Sequence, residues 1–313
     1  MQVDQRNRNQ VSWSLGNVPY LWFLLPGLLA YTVLFIYPTI RSFYLSLYDW
    51  SGRGPLGPIV WEQNFRGILH SDKFWQAAGN SFRLFLFIFI FQNTVSLGPA
   101  ILLNRPGAAT HFFRVIIFLP QIMSAVATGI IWIMMLDPII GAINPFLANI
   151  GLGSWQQQWQ SDPAWALRTV MVVMAWQWNG MAVILYLAGL QNVPDDLRHA
   201  AMLDGAGRFR TFRDVTFPML APAFTIVTVL SFILIFRAFD LIYILGGPAG
   251  VPDGHTLVLG VLIYSDAFGQ GAFNSQARFS FAMAEGVTLF LFLAAISGLL
   301  IWLLGRRETA VQS

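Results

Sequence analysis

Six stretches of this chain, residues 20–40, 84–103, 115–136, 169–190, 219–245 and 286–304, are each about twenty residues long and almost wholly apolar. Hydrocarbon offers no water to satisfy backbone N–H and C=O groups. A segment that crosses roughly 30 Å of it must therefore close those bonds internally, as a helix. The expected fold is an all-α integral membrane protein: six transmembrane helices in one domain covering residues 1–313, with a short helix-turn-helix between spans four and five. Only the fifth run contains charges, Arg237 and Asp240. The apolar stretch 256–264 is too short to cross and reads as an interfacial or re-entrant helix outside the membrane. No small-residue cleavage site follows the first run, so it is expected to stay in the membrane.

The bias of Lys and Arg toward cytoplasmic loops orients the bundle. With the amino terminus inside, Arg6, Arg8, Arg105, Arg114, Arg198, Arg208, Arg210, Arg213, Arg306 and Arg307 are cytoplasmic, ten in all. The opposite side receives seven: Arg41, Arg53, Arg66, Lys73, Arg83, Arg168 and Arg278. The loop 137–163 between spans three and four has no Lys or Arg, and both termini are expected to be cytoplasmic. The cations are scattered rather than striped, which argues against nucleic acid as a partner. There is no cysteine, and His70, His111, His199 and His255 lack metal-ligand spacing, so no metal site is expected.

Between spans four and five lies the segment 192–218. Pro194 followed by Asp195 and Asp196 is a helix start, because proline suits the first turn and carboxylates favour the positive end of the dipole. Leu197, Ala200, Ala201 and Asp204 then share one helical face, and Gly205 or Gly207 can end the helix in a left-handed turn. A second short helix bearing Phe209 and Phe212 is expected to run to Pro218. On periodicity alone this is an amphipathic surface loop. Residue by residue, Ala200-Ala201, Asp204-Gly205-Ala206, Gly207, Phe209 and Pro218 resemble the coupling-loop signature of permeases in binding-protein-dependent ABC importers. His199 stands where that family usually has glutamate, which removes any salt bridge an acid would make there.

The resemblance runs over nearly the whole chain and is most specific to carbohydrate permeases of the maltose-transporter kind. Phe113-Arg114, Phe118-Leu119-Pro120, Trp132, Gly141 and Asn144 resemble their third span and the loop after it. Phe239-Asp240-Leu241-Ile242-Tyr243 with Gly246-Gly247-Pro248 looks like their fifth span and its exit. ATP-driven transport needs a phosphate-cradling loop with a lysine, and Lys73, between Asp72 and Phe74, is the only lysine here. The chain is thus expected to be no enzyme and to bind no cofactor. The resemblance implies two partner ATPase subunits that hold ATP and Mg2+, a second related permease and an external solute-binding protein, in a bacterial inner membrane. It also implies alternating access, driven through 195–217.

Polar groups inside the membrane either pair internally or line a water-filled path. Trp176, Gln177, Trp178 and Asn179 lie near the middle of span four, where aromatic faces and amides suit a sugar, or pack and bond across helices instead. Gln92 and Asn93 in span two read as structural. Arg237 and Asp240 are spaced to share a helix face and pair, while Glu285 in span six is a second candidate partner for Arg237. Together with Tyr243, these three charges complete the candidate solute path. The alternative is an ion-coupled secondary transporter with Arg237, Asp240 and Glu285 as its relay. A sugar or sugar-derived osmolyte fits both the aromatic-amide set and the family. The external loops 48–83 and 246–283 are candidate surfaces for the binding protein.

Overall fold

The computed structural model describes residues 18–105, 107–269 and 278–312, with side chains for 22–105, 107, 109–269 and 278–305. Arg6 and Arg8, and the side chains of Arg306 and Arg307, on which the predicted placement of the termini draws, lie outside the described residues. Four helices are long and apolar enough to cross a membrane: Trp22–Leu45, Asp72–Leu103, Pro163–Gln191 and Phe279–Gly305. Two bent pairs bring the possible spans to six.

The third predicted span is not one rod. Ala109–Ile122 and Ala125–Leu136 meet at 95°. Met123 and Ser124 are extended, Pro120 withholds a donor from the last turn before them, and the Ser124 hydroxyl accepts from the Ala127 N–H at 3.1 Å to start the second arm. The fifth predicted span, 219–245, is also broken. Ala221–Phe236 ends at Arg237, Phe239 leaves helical geometry, and a new helix runs Asp240–Gly246. Apolarity counts residues in hydrocarbon and is blind to such breaks. The sixth helix begins at Phe279, earlier than the predicted 286, because its outer turns pack on protein rather than lipid.

Spans two, four and five form the centre of the bundle; the first arm of span three packs on span four, and span six on span five. Span three comes so close to span four that a Cβ on Gly180 would meet the Ile117 carbonyl at 2.8 Å. The first span touches chiefly span six, and none of the described residues in its apolar window is buried. The predicted interfacial or re-entrant segment forms the helix Leu259–Phe268, with Leu259, Val261, Leu262, Ser265 and Ala267 buried against the amino-terminal ends of the helices Asp72–Leu103 and Phe279–Gly305. Asn80 anchors its entrance by donating to the Leu257 carbonyl at 2.9 Å, and Ser81 accepts from the Leu259 N–H at 3.1 Å.

Candidate functional site

The segment between spans four and five forms two helices joined by a tight turn. Pro194, extended, precedes the helix Asp195–Leu203, and Arg198 pairs with Asp195 in its first turn. Gly205 is the residue that turns left-handed, at φ +80°. Its N–H reaches the Met202 carbonyl at 3.1 Å and the Ala206 N–H reaches Ala201 at 2.9 Å, which satisfies the last carbonyls of the helix. Gly207 is extended instead and opens the second helix, Arg208–Thr211, which continues through Phe212–Thr216 to Phe217–Met219. Thr211 locks this start by bonding back to the Gly207 carbonyl at 3.2 Å.

The outward surface of the pair is more apolar than the predicted small-residue face. Leu203 is 89% exposed and Phe209 78%, flanked by exposed Met202, His199 and Ala200, while Ala201 and Ala206 are half-buried. Water gains nothing from such a surface, and a monomer seldom maintains one. A Cβ on Gly207 would meet nothing within 4 Å among the described residues, so no neighbour within the chain requires glycine there. Pro218 sits half-buried in the last turn, at the 58° bend into span five.

At the centre of the bundle the Trp-Gln-Trp-Asn run splits by helical position. Gln177 is buried and donates to the Met123 carbonyl at 3.2 Å and to Thr128 Oγ1 at 3.3 Å, bracing the bend of span three. Trp178 is half-buried in the core, and its carbonyl accepts from Gln92, which in turn accepts from the Ser231 hydroxyl. Tyr186 donates to Asn93. These amides therefore bond across helices, and Ser231, Thr128 and Tyr186 are partners that sequence patterning passed over. Trp176 stays open. It stands edge-on to Trp132 at 5.5 Å and, with Asn179, Phe87, Phe91 and Pro120, lines a groove of about 310 Å³. Asn179 also accepts from Ser96 of span two at 2.6 Å. Tyr243 lies apart, in an aromatic cluster with Phe239 and Tyr264.

The expected pairings of charge do not form. Arg237 closes one helix and Asp240 opens the next, so the break removes their shared face, and no ion pair joins them among the described residues. Glu285 is fully buried, and the charged groups beside it are Asp266, whose carboxyl lies within hydrogen-bonding reach, and Arg278, rather than Arg237. Asp266 and Arg278 themselves pair at 2.9 Å. Arg237 instead lines a separate groove beside the first span. No direct ion pair links Arg237, Asp240 and Glu285 among the described residues.

Residues 92–309 match the family described as binding-protein-dependent transport system inner membrane component. The chain belongs to that family. It is a permease subunit of an ABC importer, a multi-pass membrane protein without ATPase activity of its own. The permease is 32% identical over 276 residues to the lactose transport system permease protein LacF of Rhizobium radiobacter, covering 88% of this chain and 90% of that one. It is 26% identical over 302 residues to the trehalose/maltose transport system permease protein MalF of Thermococcus litoralis, covering 96% and 97%. A solved bacterial alginate ABC transporter, in complex with an alginate pentasaccharide-bound periplasmic protein, has the same fold, with a TM-score of 0.78 at 21% identity over 93% of this chain and 95% of that one.

Proposed function

We propose that this permease imports a sugar or sugar-derived solute handed over by an external binding protein, and that ATP-driven partner subunits move it through the helix pair at 195–218. The observation that carries the reading is that pair: Leu203 and Phe209 stand out from a charged surface, and Gly207 leaves open space for another body. His199, Ala200, Ala201, Asp204, Gly205, Ala206 and Pro218 complete the coupling surface. A shallow apolar pocket on one of two ATPase subunits fits it, the second permease engages the other, and those subunits hold ATP and Mg2+.

The lactose and trehalose/maltose transporters named among the relatives support a carbohydrate solute. Within the bundle, Trp176 with Asn179 supplies a ring face beside an amide, the pairing that recognises a sugar's apolar face and its hydroxyls together. A second permease subunit closes the other half of the path. The assembly sits in the bacterial inner membrane with both permease termini cytoplasmic. The test is uptake in vesicles that hold both permeases and the ATPases, given the binding protein and labelled disaccharides. ATP-dependent disaccharide accumulation is expected; accumulation of amino acids instead of sugars contradicts it. Separately, a cysteine at Leu203 is expected to cross-link to an ATPase subunit, and its failure to do so in an actively transporting complex removes the coupling role.

A further inference from the structure

Trp165, Thr169, Val172, Trp176 and Asn179 recur at intervals of three and four residues, so they lie on one face of span four. Trp176 and Asn179 line the groove of about 310 Å³ described above, and Val172 lines it with them. Val172 also lines a second groove, of about 220 Å³, together with Trp132, Trp159, Trp165, Arg168 and Thr169. At the junction Trp132 of the second groove stands edge-on to Trp176 of the first, with ring centroids 5.5 Å apart. The two grooves therefore follow one another along the same helix face. From residue 165 to residue 179 that face runs roughly 21 Å at 1.5 Å per residue.

The rings of the second groove are held in place. Trp159 donates its indole N–H to Asn144 Oδ1 at 2.8 Å, and its carbonyl accepts from the Thr169 hydroxyl at 2.8 Å. Trp165 stands edge-on to Trp159 at 5.5 Å, and the Arg168 guanidinium lies over the Trp165 ring, 5.2 Å from its centroid. Arg168 is exposed and forms no ion pair among the described residues, so its N–H groups are open to an incoming acceptor. An acyl chain is served by any apolar lining and gains nothing from indoles fixed in orientation or from a guanidinium at the rim. A sugar ring gains from both. Its C–H face stacks on a ring already ordered, its hydroxyl edge keeps to the open side of the groove, and hydroxyls near the rim accept from Arg168.

We propose that the groove at Trp159, Trp165 and Arg168 is a second sugar subsite in line with Trp176 and Asn179, and that the importer takes oligosaccharides longer than a disaccharide. The proposal rests on the reading that the solute is a carbohydrate. On the predicted topology Arg168 lies at the external end of span four. A leading ring then sits at Trp176 while a following ring occupies the second subsite.

Vesicles holding the complete importer and its binding protein are given labelled sugars in matched pairs, maltose with maltotetraose and cellobiose with cellotetraose. The unaltered importer is expected to accumulate both members of a pair. Trp165→Leu, which removes no hydrogen bond of the Trp165 side chain among the described residues, is expected to raise KM for the tetrasaccharide about tenfold, the effect of losing a ring stack, and to leave KM for the disaccharide unchanged. Trp165→Phe, which keeps a ring, is expected to restore most of that loss. Arg168→Gln, at an exposed position, is expected to raise KM for the tetrasaccharide alone, by less. Uptake of a disaccharide with exclusion of its tetrasaccharide, whether at the binding protein or at the permease, overturns the second subsite and leaves the carbohydrate reading standing. Uptake of no sugar in either pair removes the carbohydrate reading along with it. Equal changes of KM for both members make Trp165 a packing residue and overturn the proposal. Loss of a co-purifying phospholipid from Trp165→Leu, with both KM values unchanged, assigns the groove to lipid and overturns it as well.

Discussion

Gln177 and Trp176 are neighbours in sequence and differ in what surrounds them. Successive helical positions point about 100° apart. Gln177 is therefore turned toward the bend of span three and Trp176 into the open groove. Gln177→Leu removes two bonds across helices, and it is expected to lower the Tm of the purified complex by an amount equivalent to about 1 kcal/mol while KM changes little. Trp176→Ala is expected to do the reverse. It should raise KM for the sugar about tenfold, the effect of losing a ring stack, with little change in Tm. An unchanged KM would remove Trp176 from the path. Glu285 poses a different test at the same scale. Its carboxyl is buried beside that of Asp266, so Glu285→Gln, which keeps the volume and always offers Asp266 a donor, is expected to preserve or raise Tm. Glu285→Lys, a second cation near Arg278, is expected to prevent assembly, as judged by recovery from detergent.

The helices were readable from the sequence where apolar length defines them, and unreadable where they break. Span four ends at Gln191, beside the predicted 190, but starts at Pro163 rather than 169, because Asp162 accepts from the Ala164 N–H at 2.8 Å and caps it there. The break at Arg237 to Phe239 contains neither Pro nor Gly, so nothing local announces it, and two charges that share a face on an ideal helix end on different helices. The bend at Met123 and Ser124 left a trace in Pro120 but needed Gln177 from another helix to brace it. Ser124→Ala removes the cap of the second arm and is expected to cost about 1 kcal/mol, seen as a lower Tm. Between spans four and five, the Pro-Asp-Asp start and the glycines marked the helix pair. Periodicity selected the alanine face and missed the exposure of Leu203 and Phe209, because exposure depends on what the rest of the chain leaves uncovered.

As a whole the permease leaves several apolar faces uncovered. Its first span stands outside the core, its broken spans three and five face one another through Gly129 and Ile244, and the groove lined by Tyr31, Phe35 and Arg237 is open on one side. A single cysteine at Ser51 is expected to react with a membrane-impermeant reagent added outside, and one at Leu203 only after the membrane is opened; the opposite pattern inverts the topology. Energy enters, on this reading, through the helix pair alone. Gly207 is the place to interrupt it, because its φ of −68° accepts any residue without strain and a side chain there meets nothing within the chain among the described residues. Gly205, at φ +80°, would confound contact with backbone strain. In vesicles holding the complete importer, Gly207→Leu is expected to abolish sugar uptake and to uncouple ATP hydrolysis from the binding protein, with the Tm of the isolated permease unchanged. Uptake and stimulated hydrolysis equal to those of the unaltered importer would contradict the coupling role.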